Sequence, residues 1–79
     1  MYRHLDIVKL LIENGININK QNKLGYTSLH YACEKGHLDI VKLLIENGID
    51  INKQDNAGYT SLHYASLNGY LDIVKLLIE

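Results

Sequence analysis

HLDIVKLLIENGI, residues 4–16, recurs unchanged as residues 37–49, a displacement of 33 positions. YLDIVKLLIE, residues 70–79, opens the same stretch a third time at the same spacing. Between the copies, GYTSLHYA occurs at residues 25–32 and again at residues 58–65. Self-similarity at a fixed period of this size marks a stacked array, in which no unit buries its apolar face alone. Within LDIVKLLIE at residues 38–46, the polar side chains Asp39, Lys42 and Glu46 follow one another at three and four residues. At about 100° per residue they form one narrow stripe of a helix. Leu38, Ile40, Val41, Leu43, Leu44 and Ile45 cover the rest of the circumference. A helix this apolar must be covered from several sides, by a partner in its own unit and by the units before and behind.

The segment ahead of it, TSLHYACEK, reads as a shorter helix. Thr27 suits its N-cap, where a hydroxyl accepts from a free amide of the first turn. Leu29, Ala32 and Cys33 stand at i, i+3 and i+4 and form its inner face, and the small residues let neighbouring helices come close. Gly36 then breaks the chain, which makes the two helices a tight antiparallel hairpin. From Ile49 to Tyr59 the pattern turns extended, with Ile49 and Ile51 alternating with Asp50 and Asn52 before an Asn/Asp-rich turn. That stretch is expected to project from the helices as a finger.

A helix pair with a projecting turn at this period resembles the ankyrin repeat. Thr27-Ser28-Leu29-His30-Tyr31-Ala32 and Thr60-Ser61-Leu62-His63-Tyr64-Ala65 are similar to the family's T-P-L-H-x-A, with Ser where Pro is usual. Gly36-His37-Leu38-Asp39-Ile40-Val41-Lys42-Leu43-Leu44 resembles the second-helix motif, and Gly48-Ile49-Asp50-Ile51-Asn52 its G-A-D-V-N continuation. The resemblance implies an all-α solenoid of stacked helix-turn-helix repeats with projecting β-turn fingers. The expected division is a partial repeat over residues 1–23 (second helix and finger), a full repeat over 24–56 and a nearly full one over 57–79. The first and last helices carry the interior motif without polar capping substitutions, so the chain is expected to be an interior slice of a longer array.

Composition excludes several function classes. The net charge of −1 and seven scattered lysines with Arg3 leave no basic stripe for nucleic acid or an anionic membrane. No apolar run approaches membrane-spanning length, and the repeat begins too early for a signal peptide. The single cysteine, Cys33, rules out an internal disulfide and fits a reducing compartment. An intracellular location, cytoplasmic or nuclear, is the expectation.

Two constellations invite chemistry. Ser28, His30 and Asp39 hold the residue types of a hydrolase triad, but Ser61, His63 and Asp72 repeat them. A nucleophile needs one specially held geometry, so recurrence in each unit points to scaffold. The resemblance adds that this His bonds loop backbone and the neighbouring repeat. His30, Cys33 and His37 share metal-ligand spacing, yet no fourth ligand is near, and the next repeat has His63, Ser66 and Tyr70 instead. Packing is the better reading of both sets, with no catalytic residue, metal or cofactor.

Comparing the copies cancels the scaffold. The differences are Asn17/Asp50, Asn22/Asp55, Lys23/Asn56, Leu24/Ala57, Cys33/Ser66, Glu34/Leu67, Lys35/Asn68 and His37/Tyr70. Most fall on the finger and at the end of the first helix, which the resemblance makes the concave partner-binding surface. Carried across, the expected contact residues are Gln21, Lys23, Leu24, Tyr26, Glu34 and Lys35, then Gln54, Asn56, Ala57, Tyr59, Leu67 and Asn68. The expected function is a non-catalytic module binding another protein; the alternative is a structural spacer. Ile7, Val8 and Leu11 on the first helix and Ile73, Val74 and Leu77 on the last are expected on uncovered outer faces, predicting weak head-to-tail self-association.

Overall fold

The computed structural model describes residues 5–79; Arg3 and His4, which entered the sequence reading, lie outside them. Five helices follow one another: α1 (Leu5–Glu13), α2 (Ser28–Lys35), α3 (Leu38–Glu46), α4 (Ser61–Leu67) and α5 (Leu71–Ile78). They lie in two layers. α2 packs on α4 in one layer, α1, α3 and α5 pack in line in the other, and α2–α3 and α4–α5 form the hairpins that join them. This is an all-α solenoid, and among the described residues no strand forms.

Local chemistry explains the first hairpin. Thr27 holds extended dihedrals at the N-cap of α2, its hydroxyl accepting from the His30 amide at 3.4 Å. The His30 side chain returns the favour by accepting from the Thr27 amide at 3.0 Å, so a histidine fills the place of the usual Glu or Gln in a capping box. α2 ends at Gly36, which is left-handed at φ 76° and donates back to Ala32 O. A Cβ there would also stand 2.8 Å from the Tyr70 ring, so glycine serves both the turn and the next repeat.

The core runs along the interface of the layers: Leu29, Ala32, Cys33, Ile40, Val41, Leu44, Ile49, Ala65, Ile73 and Leu77. Each fully buried Leu, Ile or Val contributes on the order of 1.5–3 kcal/mol. The inner face read for α2 is this core. The alternation after α3 also holds, since Ile49 is buried and Ile51 half-buried while Asp50 and Asn52 face water.

One expectation fails. Ile73 (2 % exposed) and Leu77 (7 %) are buried, and Val74 is half-buried; they are not an outer strip. Ile73 and Leu77 lie four residues apart on the side of α5 that meets α3 and α4. The exposed apolar residues of α5 are Leu71 and Ile78, seven apart on another side. At the other end the expectation holds in part: Ile7 and Leu11 are exposed, but Val8 is half-buried and packs against the core.

Candidate partner-binding surface

Each finger is closed by one side chain. In the second, Asp55 Oδ1 accepts from the amides of Ala57 and Tyr59, both at 2.9 Å, and the Asp55 amide donates to Tyr59 O. In the first, Asn22 Oδ1 does the same for Leu24 and Tyr26, at 2.9 and 3.0 Å. Asn and Asp suit these positions because a short acceptor can mimic the backbone in a tight turn.

The fingers are tied to each other. Gln21 Nε2 donates to Gln54 O at 2.9 Å, Asn56 Nδ2 to Lys23 O at 2.7 Å and the Asp50 amide to Asn19 Oδ1 at 2.7 Å. The Asn56 amide donates to Leu24 O, and the approach is so close that a Cβ at Gly25 would meet Asn56 N at 2.7 Å. His30 locks the second finger to α2. A carbonyl only accepts, so His30 Nε2 carries the hydrogen and donates to Tyr59 O at 2.9 Å, leaving Nδ1 to accept from Thr27. Both ring nitrogens are thereby committed, so neither is free to accept a proton from Ser28. Among the described residues, no group of His, Cys, Asp and Glu is arranged to hold a metal ion.

Beneath the finger bases lies a polar-aromatic knot that the residue pattern did not reveal. The Tyr64 hydroxyl is hydrogen-bonded to Asp55 Oδ2 and, at 3.0 Å, to the Tyr26 hydroxyl. Burial pushes the Asp55 carboxyl up, but bonds from Tyr64 and from the Tyr59 and Ala57 amides outweigh it and hold it below its ordinary value. The Tyr64 hydroxyl is pushed well above its ordinary value, first by its bond to Asp55, then by that to Tyr26. The one available signal was the Asn22/Asp55 difference, one of several between the two fingers: Asn22 Nδ2 donates to Tyr31, whereas Asp55 accepts from Tyr64.

The expected contact residues divide accordingly. Lys23, Leu24, Lys35, Gln54, Ala57, Tyr59, Leu67 and Asn68 are exposed. Gln21 and Asn56 are exposed too, but their side chains are spent on bonds between fingers. Glu34 is half-buried, and its carbonyl accepts from Tyr70 and Asn68. Tyr26 needs correction. It is not a free aromatic on a projecting turn but half-buried, stacked on His30 at 5.6 Å and tilted against Tyr31 at 4.9 Å. A large ring beside other rings gains more from packing than from water. Tyr59 keeps its exposure, lying flat on His63 at 3.9 Å.

This arrangement of paired helices, tied fingers and a histidine bonded into the neighbouring finger repeats a known pattern. The family model for ankyrin repeats in three copies matches residues 1–79. The chain belongs to the ankyrin-repeat family. Repeats of this family generally serve as protein–protein interaction modules and are typically non-catalytic. Over 33 residues the chain is 52 % identical to a probable E3 ubiquitin-protein ligase, XBOS33, of Oryza sativa subsp. japonica. That match covers 42 % of this chain and 6 % of the ligase, so it reaches a single repeat of a much longer protein. Among the described residues, no helix of this ankyrin array is long and apolar enough to cross a membrane.

Proposed function

We propose that the array is a non-catalytic binding module that holds another protein across its finger tips and the exposed end of its first helices. The observation that carries this reading is a contrast within one surface. The finger backbones are bonded to each other and to α2, while the side chains of Leu24 (58 % exposed), Leu67 (73 %) and Tyr59 (42 %) stand in water. Apolar and aromatic side chains on a pre-ordered frame cost little entropy to dock, which favours binding. The copies also differ in sequence there, at Lys23/Asn56, Leu24/Ala57 and Glu34/Leu67, so one frame presents different chemistry along its length. A reducing intracellular compartment belongs to the same reading and is supported by the single free thiol.

The test is affinity capture with the chain, followed by titration of the captured protein against Leu24→Ala, Tyr59→Ala and Leu67→Ala. At least one of the three should lose about 1 kcal/mol or more, a roughly fivefold weaker complex. Undiminished affinity in all three, with losses at Lys42→Ala or Glu46→Ala on α3, would move the site to the opposite face. Capture of nothing would leave the spacer reading in its place.

A further inference from the structure

The lysines are scattered along the chain, but the fold gathers three of them. Lys20 and Lys23 belong to the first finger, and Lys53 takes the place of Lys20 in the second. Bonds between the fingers hold them on one edge. Gln21, next to Lys20, reaches the carbonyl of Gln54, next to Lys53, at 2.9 Å. The Lys23 carbonyl accepts from Asn56 Nδ2 at 2.7 Å. Lys20 and Lys23 are exposed and Lys53 is half-buried, and among the described residues none of the three is held in an ion pair.

The finger carboxylates are used on the frame instead. Asp55 is 6 % exposed, with its oxygens on Tyr64 and on the Ala57 and Tyr59 amides. Asp50 sits at the finger base, where Oδ1 accepts from the Asn52 amide at 2.9 Å and its own amide donates to Asn19 Oδ1. Every other acidic residue lies on a helix or at a helix end. The edge thus offers ammonium groups to an incoming molecule, with the exposed Asp50 as the one finger charge opposing an anion. Leu24, next to Lys23, adds an apolar contact beside them.

We propose that the finger edge takes an acidic segment of the partner protein, with carboxylates on Lys20, Lys23 and Lys53 and an apolar side chain on Leu24. This names the chemistry of the partner and rests on the reading of the array as a binding module. Each exposed pair contributes little alone, but opposite charges on a pre-ordered frame steer encounter and reject basic partners. A nucleic acid fits less well. Duplex DNA carries a charge about every 1.7 Å of its axis, against three cations here, and offers nothing apolar of matching size to Leu24. Single strands need open aromatic faces to stack on, and Tyr26 of the first finger is already stacked on His30.

The probe is the peptide Glu-Glu-Leu-Glu-Glu, titrated into the isotope-labelled chain at low salt and followed by amide NMR shifts. Shifts should gather at residues 20–24 and 53–57, and affinity should fall as salt rises. The peptide Gln-Gln-Leu-Gln-Gln should bind about tenfold or more weakly, as loss of three pairs predicts. Lys20→Gln, Lys23→Gln and Lys53→Gln should each weaken the acidic peptide by about twofold to fivefold, and Lys42→Gln on α3 should not. Asp50→Asn should tighten it about twofold. That change keeps the turn, because Asn17 already fills the same role in the first finger, accepting from the Asn19 amide at 3.0 Å. Circular dichroism of all variants should match the parent. Equal affinity for the two peptides, or shifts away from the fingers, would overturn the proposal. Tighter binding of oligothymidylate at the same residues would assign the lysines to nucleic acid and overturn it too. The module reading fails separately: it stands if a captured protein is weakened by Leu24→Ala yet indifferent to salt and to the three lysines, and in that case the acidic chemistry alone is wrong.

Discussion

Leu11, Leu44 and Leu77 occupy the same position of one repeated helix, yet they are 44 %, 1 % and 7 % exposed. Replacing each with Ala compares the same chemical change in three surroundings. Leu→Ala removes about 2.4 kcal/mol of transfer free energy, at about 0.8 kcal/mol per carbon, when the side chain is fully buried. A cavity that the neighbours cannot close adds to it, and measured losses then run to about 3–5 kcal/mol. Leu44 is enclosed between α3's neighbours on both sides, so Leu44→Ala should cost about 3–4 kcal/mol. Leu77 is buried from one side of the layer only, so its surroundings can relax, and about 2–3 kcal/mol is expected. Leu11 keeps nearly half its surface in water and leaves no cavity, so about 1 kcal/mol is expected. The helix-propensity gain of Ala is the same at all three sites and cancels from the comparison. A chain of this size has about 4–12 kcal/mol of stability, so Leu44→Ala brings it close to unfolding. Urea titrations followed by far-ultraviolet circular dichroism, with the slope monitored for lost cooperativity, give the three values. Equal losses at all three sites would refute a linear stack in which α3 alone has a neighbour on each side.

Two further predictions concern titration. The Asp55 carboxyl is held below its ordinary 3.8 in the fold, so its contribution is complete above that pH and is lost as pH falls through the lower folded value. Asp55→Asn should therefore lower stability most at neutral pH and flatten the acid limb of a stability–pH profile below about pH 3.8; an unaltered acid limb would disprove it. Tyr64 is raised above its ordinary 10.0, so its contribution is complete below pH 10.0 and is lost above it, and Tyr64→Phe should remove that alkaline loss. Burial pushes the Cys33 thiol up to about 12, against a smaller lowering by Ser61. Cys33 should then react with a thiol reagent only when the chain opens, at a rate that rises in step with urea-induced unfolding. Fast labelling of the folded chain would show the site to be open.

The period of the repeat and the order of its elements were legible in the residues alone. The capping role of Thr27, the inner face of α2 and the break at Gly36 came through as well, because spacing and side-chain type act within a few residues of one another. Burial is a relation between elements, and identical sequence cannot encode a difference in it. LDIVKLLI is exposed in α1 and buried in α3, and Ile73 and Leu77 turn inward where an outer face was expected, because only the stack decides which neighbours a helix has. The contact surface divides for the same reason. Lys23, Leu24, Tyr59 and Leu67 stand in water as read, but Tyr26 is drawn into the knot with Tyr64 and Asp55, residues distant in the chain. A carboxylate against a phenol draws a bond that an amide at the same place directs elsewhere. That one-atom distinction was visible as Asn22 against Asp55, but its consequence exists only where the third side chain, brought by another helix, meets it.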